Sequence, residues 1–358
     1  MKILIITKNF SPELGGTATF LHEITKRLIQ SGHKVTVLSD IAHKKFLSRF
    51  WQLFRSISHF DAVYSLDLNS VGIPLMLAAV FRRKKYALRI SHDDAWEQYL
   101  ENSLAPLTLS DFYGKGIHKQ PWLTYRLITL VLRMAERVVF NSEELRDLYQ
   151  THYGVSERKT SVIYAGAPVY KFGGLVSSYK QQAIERDREI VFAGRFIKMK
   201  NVESLIKAFA RLEDSTFKLL LIGDGLQKQV LHALVSDLKI ADQVEFLPPM
   251  SQALLYRRIA NAYLVVIPSW TDCATQQVVE CLAMNIPLLL TRERFGPACT
   301  MPIEAIDPAS INDIHERLSN LLDPNVYQKY QHILQNIKYS YSWDKVVIEH
   351  LKVYKMLI

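Results

Sequence analysis

The chain reads as an α/β protein made of two doubly wound parallel-sheet domains facing each other across a cleft. Three observations predict this. Short apolar, β-branched runs alternate with amphipathic helical stretches along most of the 358 residues, the pattern of parallel sheets assembled from βαβ units. The series breaks at a polar stretch, Tyr170 to Arg188, which has a Gly pair and no strong periodicity, and then restarts. The length suffices for two cores of ordinary domain size.

Taken in order, strands are expected near residues 2–7, 34–39, 62–66, 86–91, 137–140 and 160–165, with helices between them. The second series runs 189–194, 217–222, 244–247, 263–268 and 287–290. This divides the chain into a domain at 1–170, a linker at 171–188, a second domain at 189–339 and a final amphipathic helix at 340–358. That helix is expected to return to the N-terminal domain.

A hydrophobic share of 49% and a charged share of 22% are those of a folded soluble protein. Cys273, Cys281 and Cys299 are few, odd in number and show no metal-ligand spacing, so a reducing, cytoplasmic setting is expected, with no metal site. The amino end enters a strand directly, without the layout of a signal peptide, and no apolar run reaches the length of a membrane span. The net charge is +9, unevenly divided: residues 1–170 hold 22 Lys and Arg against 15 Asp and Glu. A basic half attracts anionic lipid, nucleic acid or an acidic substrate. No nucleic-acid reading motif accompanies it, so no nucleic-acid partner is expected.

The most informative stretch is Tyr263 to Thr291. Two buried-strand runs flank a helix with an apolar stripe of Val278, Val279, Leu282 and Ala283, with Thr275 as a cap and Asn285-Ile-Pro287 as a stop. Asp272 then stands in the loop at the carboxyl end of a strand, and Glu280 on the helix. Ligands of open α/β sheets lie at that edge, and carboxylates accept from vicinal sugar hydroxyls. A surface acid and a capping acid would show the same spacing.

Other turns point the same way. Gly15 and Gly16 precede the first helix, where glycine lets backbone approach a ligand; a plain tight turn is the alternative, and the spacing is not that of a nicotinamide-binding loop. Arg195, Lys198 and Lys200 crowd the amino end of a helix, a clash with the helix dipole that a diphosphate would relieve. Gly223 and Gly225 form another strand-to-helix turn. His92 and Asp93 follow a strand of the first domain and would enter the cleft, although such a pair is also a common structural feature.

In sequence order these are Pro12-Glu-Leu-Gly-Gly16, His92-Asp93, Ala135 to Ser142, Val162 to Ala167, Gly194-Arg195 with Lys200-Asn201, Gly223-Asp-Gly225, and Pro268-Ser269 with Asp272 to Glu280. Together they resemble the retaining nucleotide-sugar glycosyltransferases of the family-4 type, along nearly the whole chain. The resemblance implies two Rossmann-like domains (GT-B), the donor held mainly by the second and the acceptor mainly by the first. It implies that Arg195 and Lys200 bind the diphosphate of a UDP- or GDP-sugar, that Glu280 takes the ribose hydroxyls, and that Asp272 contacts the transferred sugar. Aspartate stands there for the usual glutamate, Cys273-Ala274 for the usual Phe-Gly, and Ala167 lies where Val-Asp is common. His92-Asp-Asp-Ala-Trp-Glu97 is similar to a bacterial Gly-Asp-x-Ala-Trp-Glu segment, which brings both His92 and Asp93 forward as sugar contacts. The implied chemistry is retaining, metal-independent and free of a protein nucleophile.

The expected acceptor is a glycan or a lipid-linked glycan of cell-surface synthesis. Residues 44–57 place Phe46, Phe50, Trp51, Leu53, Phe54 and Ile57 largely on one side of a basic helix. Such a helix either packs on the core or lies on anionic lipid, and Phe81-Arg-Arg-Lys-Lys-Tyr86 adds charge. A peripheral attachment to the inner membrane face follows from the second reading. Competing functions are a nucleotide-sugar epimerase of the same fold and a catalytically idle nucleotide-sugar-binding protein.

Overall fold

Two six-stranded parallel sheets organise the computed structural model, whose described residues are 1–7, 16–39, 45–166, 187–273 and 276–358. The first sheet contains β1 (Lys2–Ile6), β2 (Lys34–Leu38), β3 (Ala62–Ser65), β4 (Ala87–Ile90), β5 (Arg137–Phe140) and β6 (Thr160–Val162), in the order β2-β1-β3-β4-β5-β6. The second contains β7 (Asp187–Ala193), β8 (Lys218–Ile222), β9 (Val244–Leu247), β10 (Ala262–Ile267), β11 (Leu288–Thr291) and β12 (Ala305–Ile306), in the order β12-β11-β10-β7-β8-β9. All the ladders are parallel. Each sheet grows first to one side of its opening strand and then to the other. The reversals fall between β1 and β3 and between β7 and β10, and each leaves a crevice at the carboxyl ends of the strands.

The helices are α1 (Gly16–Gln30), α2 (Phe46–Ser56), α3 (Gly72–Arg82), α4 (Asp94–Asn102), α5 (Leu109–Gly114), α6 (Trp122–Met134) and α7 (Glu143–Tyr153) in the first half. The second half adds α8 (Val202–Phe209), α9 (Lys228–Asp237), α10 (Gln252–Ile259), α11 (Gln276–Ala283), α12 (Ile311–Leu322), α13 (Pro324–Gln335) and α14 (Trp343–Lys355). Because helices cover both sheet faces, β3, β4 and β11 are buried at every residue. Their sequences accordingly show no alternation of apolar and polar residues, the exceptions being the buried Ser65, Arg89 and Thr291. Each buried Leu, Ile or Val contributes about 1.5–3 kcal/mol.

Helix α14 packs back on the first sheet. Trp343, Val346, Val347 and Tyr354 share a core with Ile3, Ile5, Phe20 and Tyr64. Gly166 makes room for it, since a Cβ there would stand 2.6 Å from the Trp343 ring. Beneath the helix, the fully buried His350 donates from Nδ1 to the Val346 carbonyl (2.7 Å), while Nε2 faces the Tyr64 hydroxyl at 3.0 Å and Arg89 Nη1 at 3.4 Å. A carbonyl can only accept, so Nδ1 carries the proton and Nε2 receives.

Two expectations change. The aromatic side of α2 splits: Leu53 and Ile57 are fully buried, whereas Phe46, Leu47 and Trp51 are exposed. The helix leans on α3 through one edge only, so the stripe serves both core and surface. The first sheet's last strand ends at Val162, and β12, of two residues, carries too little pattern to be read in advance. Residues 171–186 of the expected linker lie outside the described residues, as do Gly15, Ala167, Ala274 and Thr275.

Candidate active site

The crevice between β7 and β10 collects most of the expected residues. Chain leaving β7 passes Gly194 and Arg195, forms a 3-10 turn at Lys198–Lys200 and enters α8. Asn201, in the left-handed region at φ 53°, closes that turn. Its side-chain amide donates to the carbonyls of Pro268 (3.1 Å) and Pro308 (2.8 Å), fastening the α8 amino end to the end of β10. Lys200 Nζ consequently lies 3.4 Å from Ser269 Oγ, while Arg195 stands 60% exposed with its guanidinium 3.8 Å from Glu97 of the opposite domain.

Gly223 and Gly225 support this loop. A Cβ at 223 would come 1.9 Å from the Gly194 carbonyl oxygen, and one at 225 would come 2.4 Å from the Phe196 carbonyl oxygen. Phe196 N donates to Asp224 O at 2.8 Å, and Gln227 N to Phe196 O at 2.8 Å. The space that glycine opens at 223 and 225 is filled by the neighbouring loop. Gly16 is different: a Cβ there meets nothing within 4 Å.

Asp272 is held by its backbone, with N donating to Glu293 O at 2.8 Å and O accepting from Phe295 N at 2.9 Å. The loops after β10 and β11 are thereby zipped together, and the Asp272 side chain is buried. Glu280 faces inward from α11. Its Oε1 accepts from Gln276 Nε2 at 2.7 Å and Gln252 Nε2 at 3.2 Å. Burial raises the Glu280 pKa, and hydrogen bonds from Tyr256, Gln276 and Gln252 draw it back. Gln276 is legible as an i, i+4 partner; Gln252 and Tyr256 come from α10 and show no local signal.

Opposite stands the end of β4. Asp93 is the N-cap of α4, accepting from Trp96 N at 2.8 Å, and its other oxygen accepts from Tyr113 OH (2.5 Å) and Tyr149 OH (2.9 Å). Burial raises its pKa against those hydrogen bonds. Both of its oxygens thus accept hydrogen bonds from within the domain, which fixes the start of α4. His92 is the half-buried member of the pair, its ring placed between Ser91 Oγ (3.3 Å) and Asp94 Oδ1 (3.2 Å).

The domains touch around this crevice. Lys198 N donates to Glu101 Oε1 at 2.9 Å and Lys198 Nζ to Glu101 O at 2.8 Å, so Lys198 clasps the domains together. Leu109 N donates to Thr271 Oγ1 (2.9 Å), Asn141 Nδ2 to Cys273 O (2.5 Å) and Gly296 N to Glu144 Oε2 (2.7 Å). Cys273 marks the meeting point. Burial raises its thiol pKa, with Asp272, Asp93 and Glu97 adding to the rise and Lys200 opposing it, so these four charges converge from both domains. Among the described residues no group of three or more His, Cys, Asp or Glu is arranged to hold a metal ion.

The first domain also contains a cavity of about 700 Å³, lined by His92, Asp94, Gln98, Tyr99, His118 and Tyr125 among others. His118 is 3% exposed, and neither of its ring nitrogens has a hydrogen-bond partner among the described residues. Burial, then His152 and Lys119, push its pKa down to about 4.

Comparison with known proteins agrees with this architecture. Residues 177–338 match the family model "Glycosyl transferases group 1", and residues 14–169 match "Glycosyltransferase Family 4". The chain is 23% identical to an uncharacterized glycosyltransferase of Methanocaldococcus jannaschii, over 99% of this chain and 98% of that one. It is 28% identical to the D-inositol 3-phosphate glycosyltransferase of Rhodococcus jostii over 44% of this chain, spanning 38% of that relative. It is also 28% identical to a Campylobacter jejuni N-acetylgalactosaminyltransferase whose name includes a diphospho-undecaprenol substrate, over 48% of this chain and 45% of that one. Among solved structures, Anabaena HepE with UDP and glucose superposes with a TM-score of 0.75 at 16% identity, covering 99% of both chains. WaaG, a glycosyltransferase of lipopolysaccharide biosynthesis, gives 0.72 at 13% identity with the same coverage. With two parallel-sheet domains meeting at a charged crevice and both halves matched, the chain belongs to the family-4-type glycosyltransferases of the GT-B fold.

Proposed function

We propose that this protein is a retaining glycosyltransferase that moves a sugar from a UDP- or GDP-sugar to a glycan or lipid-linked acceptor. The observation that carries the reading is the placement of Arg195 and Lys200 at the amino end of α8, in the crevice that also receives Asp272. Cations beside a positive helix end are stable partners for a diphosphate. Asp272 would accept from hydroxyls of the transferred sugar and Glu280 from those of the ribose.

In the reaction, the bond between the anomeric carbon and the leaving phosphate oxygen breaks as the acceptor oxygen bonds to the same face of that carbon. The acceptor proton passes to the leaving diphosphate. Arg195 and Lys200 would stabilise the charge growing there, with no metal ion required. His92, at the rim of the other domain, would orient the sugar.

A peripheral attachment to an anionic membrane accompanies this reading. Helices α2, α3 and α6 lie side by side and expose Leu47, Trp51, Phe81, Trp122, Leu130 and Met134. No Asp or Glu occurs between Asp40 and Asp61, between Asp67 and Asp93, or between Asp111 and Glu136. An acid-free, aromatic surface suits anionic headgroups. Among the described residues no helix is long and apolar enough to cross a membrane.

A thermal-shift screen of UDP- and GDP-sugars on the full chain tests the proposal. One nucleotide sugar should raise Tm in a concentration-dependent way, because it binds only the folded state. No shift with any of them, together with no donor consumption, would refute it.

A further inference from the structure

The cavity of the first domain carries information on the acceptor. Its volume of about 700 Å³ suits a small organic ligand. Its rim adjoins the donor side, since Ser103, one of its lining residues, accepts from Lys198 Nζ at 3.2 Å. His92 also lines it, so the cavity opens where the reacting sugar would lie.

The wall chemistry is selective. Among the described residues it includes no Lys or Arg, although the domain as a whole is basic. Its acids are Asp93, which accepts from Tyr113 and Tyr149, and Asp94, whose Oδ1 lies 3.2 Å from His92 Nε2. Asn69, Gln98, Asn102 and Gln120 add neutral amides, and Tyr99 and Tyr125 add ring faces. His118 is uncharged near neutral pH, and Lys119, which acts on it electrostatically, is not a lining residue. A phosphate entering here would lose hydration beside the Asp94 carboxylate with no Lys or Arg on the described walls to pair it, Lys198 at the rim being held by Glu101. A sugar ring would find amide and carboxylate partners for its hydroxyls and aromatic faces for its C–H surface.

We propose that this cavity seats the acceptor, and that the group it takes is an uncharged, hydroxyl-rich sugar ring and not a phosphorylated polyol. The proposal rests on the glycosyltransferase reading above. Any diphosphate of a lipid-linked acceptor then lies outside the cavity.

The test uses the full chain with the nucleotide sugar that stabilises it. Neutral methyl glycosides and disaccharides are compared with inositol 3-phosphate and sugar 6-phosphates, and products are followed by mass spectrometry. A neutral acceptor should exceed every phosphorylated one by at least about tenfold in kcat/KM. Gln98→Lys, on the exposed rim, should narrow that gap by introducing the missing cation. A phosphorylated acceptor used as well as or better than the neutral ones would overturn the proposal, as would a Gln98→Lys ratio equal to that of the wild type. Failure of the underlying reading would be recognised separately, by a lack of donor binding and of donor consumption with either acceptor class.

Discussion

Lys198 and Glu101 form a two-point clasp between the domains, the backbone N–H donating to the carboxylate at 2.9 Å and the ammonium to the backbone carbonyl at 2.8 Å. Of the three cations crowding α8, this one is committed to holding the halves of the molecule together. Arg195 is exposed beside Glu97 of the first domain, and Lys200 lies beside Ser269 at the end of β10.

Breaking the clasp should loosen the domains without unfolding either. Glu101→Ala removes the carboxylate acceptor, a loss of about 1 kcal/mol, while the fold of each sheet is untouched. Small-angle scattering should show a larger radius of gyration, and limited proteolysis faster cleavage between the domains. Profiles identical to wild type would remove the clasp from the account.

The glycines of the donor loops should differ sharply. Gly223→Ala drives a Cβ to 1.9 Å from the Gly194 carbonyl oxygen, and the β7 loop must move. A destabilisation of at least about 3 kcal/mol is expected, as for overpacking against backbone. Gly16→Ala meets open space and should change stability by less than about 1 kcal/mol. Denaturant titration of both variants is the check, and equal effects would contradict the packing argument.

How far the sequence could be read follows from these positions. Strands buried on both faces announce themselves as apolar runs, so all strands but the two-residue β12 are legible, and with them the loops that carry Arg195, Lys200 and Asp272. Contacts between distant segments are not. Lys198 and Glu101 are 97 residues apart, and the carbonyls that Gly223 and Gly225 accommodate belong to another loop. Tyr113 and Tyr149, whose hydroxyls donate to Asp93, lie on α5 and α7 and carry no local signal of that contact. Glu280 was visible, but its partners Gln252 and Tyr256 lie on a different helix.

Stability should fall on acidification because of His350. Burial and then Arg89 lower its pKa to about 3, from an ordinary 6.5. Between those values the unfolded chain binds the proton and the folded one does not. Stability is therefore complete above about pH 6.5 and decreases below it, by up to about 1.4 kcal/mol per pH unit for one buried imidazole. Asp93 and Glu280, with raised values, act in the opposite direction, so the histidine is isolated by comparison with His350→Asn. Urea titrations from pH 7 to pH 4 should show a steeper loss for wild type than for the variant. Parallel curves would show that His350 does not titrate on unfolding.

The acid-free helical face should recognise charge on lipid. Co-sedimentation with phosphatidylglycerol vesicles is expected at low salt and is reduced severalfold by raised salt, as screening requires. Trp51→Ser and Phe81→Ser, both at exposed positions, should weaken it at unchanged Tm. Equal binding to phosphatidylcholine vesicles would argue against an electrostatic attachment.

The donor site is tested most directly by calorimetry of the stabilising nucleoside diphosphate against its nucleoside, on wild type, Arg195→Ala and Lys200→Ala. Each variant should lose about tenfold or more in affinity for the diphosphate, a charge-assisted contact worth about 1.5–3 kcal/mol, with nucleoside binding nearly unchanged. Equal losses for both ligands, or none for either, would contradict the assignment of Arg195 and Lys200 to the leaving diphosphate.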